Sequence, residues 1–194
     1  EKIEISKGLA NIGNKAFKGC IISEIKIAEG NITDYAFYEF ISLKKVDILD
    51  GVTSIGYGAF ARTSLENVTI RGGSIGECAF FECKSLQSLS LKSNVTSIGK
   101  ASFGNCSKLT NVYIEDGVTS MGDYAFQSCV ALKNINIPKS ILKIGHATFM
   151  NCSNLTDVYI EDGVTAIDKY AFQECTVLKN INIPKSLSSI GYGA

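Results

Sequence analysis

The chain has 194 residues, 45% apolar and 20% charged, with 19 basic side chains balanced by 19 acidic ones. That composition belongs to a folded globular chain rather than a disordered one, and a net charge of zero supplies no field to draw in a polyanion, so nucleic acid is not an expected partner. No stretch approaches the roughly 18 uninterrupted apolar residues of a membrane span, and Glu1-Lys2-Ile3-Glu4-Ile5 lacks the basic and apolar regions of a signal peptide.

The first predicted element is a short strand at Ile3 and Ile5, two apolar residues separated by one polar residue. The same spacing returns at Ile25/Ile27, Val46/Ile48, Val68/Ile70, Leu89/Leu91, Val112/Ile114, Ile135/Ile137, Val158/Ile160 and Ile181/Ile183. Between these strands runs a segment of the form I-G-x-x-A-F-x-x-C. Its phenylalanines, Phe17, Phe37, Phe60, Phe80, Phe103, Phe126, Phe149 and Phe172, lie 20, 23, 20, 23, 23, 23 and 23 residues apart. A period of this length marks a solenoid, because one coil cannot bury its own apolar face and must stack on a neighbour.

The expected architecture is a mainly β solenoid: eight 20- or 23-residue repeats with partial repeats at both ends, forming a single domain over 1–194. About nine short strands make one parallel sheet. On the opposite face the I-G-x-x-A-F-x-x-C segment is too brief for a regular helix and is expected to make one helical or 3₁₀ turn, with the phenylalanines stacked as a spine. The 20-residue repeats beginning at Ile12 and Ile55 are expected to lose the short extended piece that follows the strand elsewhere. Ile3 and Ile5 already occupy strand slots, and the chain stops at Gly193-Ala194 where the next phenylalanine is due. It therefore reads as part of a longer chain, whose uncapped terminal strands would allow end-to-end self-association.

The array also has a coarser grain. Residues 98–143 and 144–189 are identical at 31 of 46 positions, as expected from duplication of a two-coil unit. The turns after the strands alternate in sign, Glu115-Asp116, Lys139, Glu161-Asp162, Lys185, so that acidic and basic turns face each other along the stack.

These residues resemble the BspA-like, or treponemal-type, leucine-rich repeat family, whose unit reads roughly I-P-x-S-V-T-x-I-G-x-x-A-F-x-x-C-x-x-L. The match is carried by Ile137-Pro138-Lys139-Ser140 and by Val118-Thr119-Ser120-Met121-Gly122-Asp123-Tyr124-Ala125-Phe126-Gln127-Ser128-Cys129, and it extends over the whole chain. Departures are the two 20-residue repeats and, near the cysteine slot, Phe40 and Thr63. The resemblance implies a curved, right-handed leucine-rich-repeat coil with the parallel sheet on its concave face. It further implies a secreted or cell-surface protein engaged in adhesion or in host or matrix interaction.

Few residues could carry covalent chemistry. Cys83, Cys106, Cys129, Cys152 and Cys175 are 23 residues apart and Cys20 holds the same slot, so a buried column of free thiols is expected, not a zinc cluster. Cys78 lies off this column and is the best candidate for a reactive thiol. The single histidine, His146, occupies a variable slot held elsewhere by Lys100 and Asp123 and is expected on the solvated surface. No phosphate-binding glycine motif is present, and the repeated I-G is explained by turn geometry. The sequence thus points to no enzyme, cofactor or metal. Asn-x-Ser/Thr sequons at Asn31, Asn67, Asn94, Asn105, Asn151 and Asn154 follow from repetition of the unit.

The candidate binding face is the outward side of the later strands: Asn111, Tyr113, Asn134, Asn136, Asp157, Tyr159, Asn180 and Asn182. Tyrosine offers a large contact surface at low entropic cost and asparagine both donates and accepts, a mix suited to recognition. Two readings stay open. One is a non-enzymatic module that binds an extracellular protein or glycan; the other is a structural spacer whose polar sheet face is simply solvated.

Overall fold

The computed structural model describes residues 1–5, 11–13, 16–17 and 19–194. The chain winds as a right-handed parallel β-solenoid of about eight turns. Its strands are β1 (Lys2–Ile5), β2 (Asn11–Ile12), β3 (Glu24–Ile32), β4 (Lys45–Ile55), β5 (Asn67–Ile75), β6 (Ser88–Ile98), β7 (Asn111–Ile114), β8 (Ser120–Met121), β9 (Asn134–Ile137), β10 (Lys143–Ile144), β11 (Asp157–Ile160), β12 (Ala166–Ile167), β13 (Asn180–Ile181) and β14 (Ser189–Ile190).

The expected nine-strand face is formed by β1, β3, β4, β5, β6, β7, β9, β11 and β13. Register preserves the period-two pattern. Ile3 pairs with Ile25, Ile25 with Val46, Val46 with Val68, Val68 with Leu89 and Leu89 with Val112, so like slots stack along the whole run. The ladder divides between β7 and β9, and β9, β11 and β13 then continue it, with Ile135 opposite Val158 and Val158 opposite Ile181.

A second ladder runs beside the first. In the N-terminal half each of β3 to β6 is one continuous strand that crosses both ladders, ending in pairs such as Ile32 with Ile55 and Ile75 with Ile98. In the C-terminal half the same path is cut into two short strands. Pro138 and Pro184 sit where the cut falls in alternate coils, and a residue without an N–H cannot continue a ladder. The 20-residue coils do not lose their second extended piece, contrary to expectation. β3 and β5 still reach Ile32 and Ile75, and the missing residues are absorbed by register shifts against the longer neighbours, between Ile27 and Glu29 and again between Gly30 and Asn31.

Among the described residues the opposite face contains no helix, only turns, which corrects the expected helical or 3₁₀ turn. Alternate residues follow two different bonding rules. Ala36, Tyr38 and Phe40 donate backward to the carbonyls of Thr33, Tyr35 and Phe37, three residues before them. Tyr35, Phe37 and Glu39 instead donate sideways to Tyr57, Ala59 and Ala61 of the next coil, at 2.9, 2.7 and 3.0 Å. This alternation requires left-handed backbone at two positions per coil, two residues before and two after the phenylalanine. They include Tyr35 and Glu39 (φ 56° each), Tyr124 (59°) and Ser128 (58°). Sideways donation continues across the divided ladder, from Tyr124, Phe126 and Ser128 to His146, Thr148 and Met150.

The core lies between these faces. Phe37, Phe60, Phe80, Phe103, Phe126 and Phe149 are fully buried, and consecutive rings from Phe17 to Phe172 stack with centroids 4.8–5.5 Å apart and nearly parallel planes. Small residues before the phenylalanines from Phe37 to Phe172 (Ala36, Ala59, Ala79, Ser102, Ala125, Thr148, Ala171) are buried as well. They let the backbone approach the adjacent coil closely enough for the sideways bonds.

Candidate binding face

Each outward side chain of the sheet is set by strand alternation. In β9 and β11 the inward residues Ile135, Ile137, Val158 and Ile160 are buried while Asn134, Asn136, Asp157 and Tyr159 are exposed. Registers Asp157 with Asn134, Tyr159 with Asn136 and Asp157 with Asn180 place these residues in two rows across the coils. The rows flank a shallow depression of about 620 Å³ lined by Asn134, Asn136, Asp157, Tyr159, Asn180, Asn182, Lys179 and the strand residues between them. Six of the eight residues singled out in the sequence meet there. Asn111 and Tyr113 lie outside the depression on β7, where Tyr113 is 57% exposed and continues the row of Tyr159, itself 59% exposed.

Hydrogen bonding divides the face. Asn182 uses both ends of its amide on one residue of the preceding coil, donating to the Ile160 carbonyl and accepting from the Ile160 N–H, each at 2.7 Å. It extends the ladder past β13 and acts as a strand substitute. Asn180 donates to the Asp157 carboxylate at 2.5 Å, and Asn136 donates to Glu161 at 3.1 Å. Hydrogen bonds from Thr156 and Asn180 hold the Asp157 carboxyl below the usual aspartate range. Asn111 donates to the Thr110 hydroxyl at 3.1 Å. Tyr113 carries the Lys92 ammonium 5.3 Å from its ring centre, and Lys92 also pairs with Glu115 at 2.9 Å, which pulls the Glu115 carboxyl down.

The N-terminal half of the same face is built differently. Glu4 pairs with Lys26, Glu24 with Lys45 and Asp47 with Arg71, so neighbouring coils are tied by ion pairs. The alternating turns follow suit in the C-terminal half. Lys139 pairs with Asp116 at 3.3 Å, and acidic side chains also accept backbone N–H groups of adjacent turns, Glu115 from Ser93, Glu161 from Lys139 and Asp162 from Lys185. Sequence reasoning anticipated the facing charges. It missed that the carboxylates serve chiefly as caps for neighbouring backbone.

The cysteine column is buried from Cys83 to Cys175, and each thiol donates to the carbonyl of a phenylalanine in the preceding coil, as Cys106 does to Phe80 and Cys129 to Phe103. Burial pushes the thiols up, Cys83 to about 11 and Cys129 to about 12. Cys20 breaks the expected pattern and is exposed. Phe40 and Thr63 fill the next two places in the column, Thr63 sharing the Phe60 carbonyl with Cys83. Cys78 is half-buried, and desolvation together with the adjacent Glu77 carboxylate raises its thiol above the ordinary value, which is the opposite of an activated nucleophile.

His146 is half-buried rather than fully solvated. Its ring sits edge-on between Tyr124 (5.1 Å) and Tyr170 (5.5 Å), and Tyr170 meets Tyr192 in the same way (5.6 Å). Tyr35 and Tyr57 repeat the contact near the start of the array. This edge of the turn face alternates coil by coil. Tyr35 lies over Gly58 and Tyr170 over Gly193, where an added Cβ would come within 3.0 and 2.8 Å of the ring. Small and large residues therefore alternate at the first left-handed slot: Tyr35, Gly58, Cys78, Ala101, Tyr124, Ala147, Tyr170, Gly193. Among the described residues no group of three His, Cys, Asp or Glu side chains is placed to hold a metal ion.

The family model for the BspA type leucine-rich repeat region matches residues 1–73 and 73–194, in six copies. The chain belongs to the BspA-type leucine-rich repeat family. Among solved structures it is similar to a leucine-rich cell surface protein of Faecalibacterium prausnitzii A2-165, with a TM-score of 0.70 and 26% identity over 98% of this chain. The chain spans 65% of the length of that protein. It is also similar to the leucine-rich repeat protein of T. pallidum, with a TM-score of 0.50 and 25% identity, covering 65% of this chain and 73% of that one. No curated protein sequence matches it significantly. Within this BspA-type array no helix among the described residues is long and apolar enough to cross a membrane.

Proposed function

We propose that this single-domain array is a non-enzymatic binding module of a secreted or cell-surface protein, and that it takes an extracellular protein or glycan on the sheet face of β7 to β13. The observation that carries the reading is the depression in which Asn134, Asn136, Asp157, Tyr159, Asn180 and Asn182 converge. The likeness to a leucine-rich cell surface protein supports the location, and adhesion is the role that fits a repeat surface offered outward. A screen against extracellular-matrix proteins and glycans tests it, run beside a Tyr113→Ala/Tyr159→Ala double variant of equal thermal stability. Saturable binding that the variant loses is the expected result; binding that it keeps overturns the site.

A spacer role has one observation in its favour. Asn136, Asn180 and Asn182 already have intramolecular hydrogen bonds, so part of the face stabilises the coil itself. Tolerance of every face substitution, with no ligand for the wild type, would establish that reading.

A further inference from the structure

The chemistry of the face narrows its ligand, and we infer that it is a neutral β-linked polysaccharide lying along the solenoid axis, in a register of one disaccharide per two coils. This inference rests on the binding reading just proposed. Three observations lead to it.

The first is spacing. Tyr113 and Tyr159 occupy the same outward slot two coils apart, which at about 4.8 Å per coil separates them by roughly 10 Å. Both rings are more than half exposed, and the coil between them presents Asn136, in register with Tyr159. A β-1,4-linked chain turns each sugar over relative to the last, so the same apolar ring face recurs at every second sugar. One disaccharide of such a chain extends about two coil spacings. Its rings can rest on successive tyrosines while hydroxyls of the intervening sugar meet the asparagine row.

The second is the hydrogen-bonding capacity left on the face. Asn111, Asn136 and Asn180 each spend one of two amide N–H groups on Thr110, Glu161 and Asp157, which fixes the amide plane and leaves one N–H donor and the carbonyl acceptor for a ligand. Fixed rows that both donate and accept suit a partner rich in hydroxyls, which do the same. The third is charge. Within the depression the Lys179 ammonium acts on the Asp157 carboxylate, beside it Lys92 is matched by Glu115 and Lys139 by Asp116, and the whole chain is neutral, so the face carries no net charge of one sign to select an ionic polymer.

Isothermal titration of the chain with cello-oligosaccharides of two, four and six sugars tests the inference, with maltohexaose as the α-linked control and a panel of matrix proteins alongside. The expected result is affinity that rises with β-linked length, no comparable binding of maltohexaose, and a loss of about tenfold for each of Tyr113→Ala and Tyr159→Ala. Tyr159→Phe, which keeps the ring, should retain most of the affinity. Equal binding of both linkages, or absence of oligosaccharide binding, overturns the inference. If a protein binds instead and the tyrosine variants abolish it, the polysaccharide is wrong and the face still stands. Any ligand bound equally by wild type and variants removes the face itself.

Discussion

At the residue scale the thiols show most directly how burial sets chemistry. Cys20 and Cys129 occupy the same slot of the repeat, yet one is exposed and the other is buried with its Sγ on the Phe103 carbonyl. A thiol reagent applied to the native protein should label Cys20 quickly and the column from Cys83 to Cys175 only after unfolding. Their titration also bears on stability. Burial holds the folded thiols at about 11 for Cys83 and about 12 for Cys129, above the ordinary value of 9.0, so as pH rises the unfolded chain loses protons first. The stabilising contribution is complete below pH 9 and declines between 9 and about 12. Melting temperature against pH should fall across that window, and less steeply for Cys129→Ala than for wild type.

At the element scale the turns decide whether a coil can close on its neighbour. Gly117 sits at φ +146°, and a Cβ there would lie 2.0 Å from the Ser93 carbonyl oxygen. Gly117→Ala should therefore cost more than about 1 kcal/mol, read by urea denaturation. The strands, the phenylalanine spine and the buried cysteine column could be read from the repeat, because each rests on an apolar residue whose period survives in the sequence. The turn face could not. Its left-handed positions are held by Tyr35, Glu39, Arg62 and Ser128, residues that carry no glycine signature, and the conformation follows from hydrogen bonds to a coil 19 to 22 residues away. Asn182 was legible as an outward residue of the candidate face, but its pairing with Ile160 depends on where β13 stops. The depression likewise arises from three coils together.

At the scale of the whole molecule the repeat has two periods, one coil for the phenylalanines and two coils for the large and small residues on the turn face. The longer period explains why 98–143 and 144–189 are so alike. Removing residues 121–166 places the coil of Ala101 directly before that of Tyr170 and keeps the alternation. Removing only 144–166 brings Tyr124 over the coil of Tyr170, with no small residue to receive its ring. The shorter deletion should therefore lower the melting temperature more than the longer one, despite discarding less core.

The sideways hydrogen bonds of the turn face, together with those of the two ladders, all point along the axis from one coil to the next. Tension applied between the ends would load coils in series, and each could peel from its neighbour without disturbing the next. A released 23-residue coil pays out roughly 75 Å of chain in place of about 5 Å of stacked height. Such an array lengthens under load in many small increments, a mechanical fuse that spreads one large extension over a series of small ones.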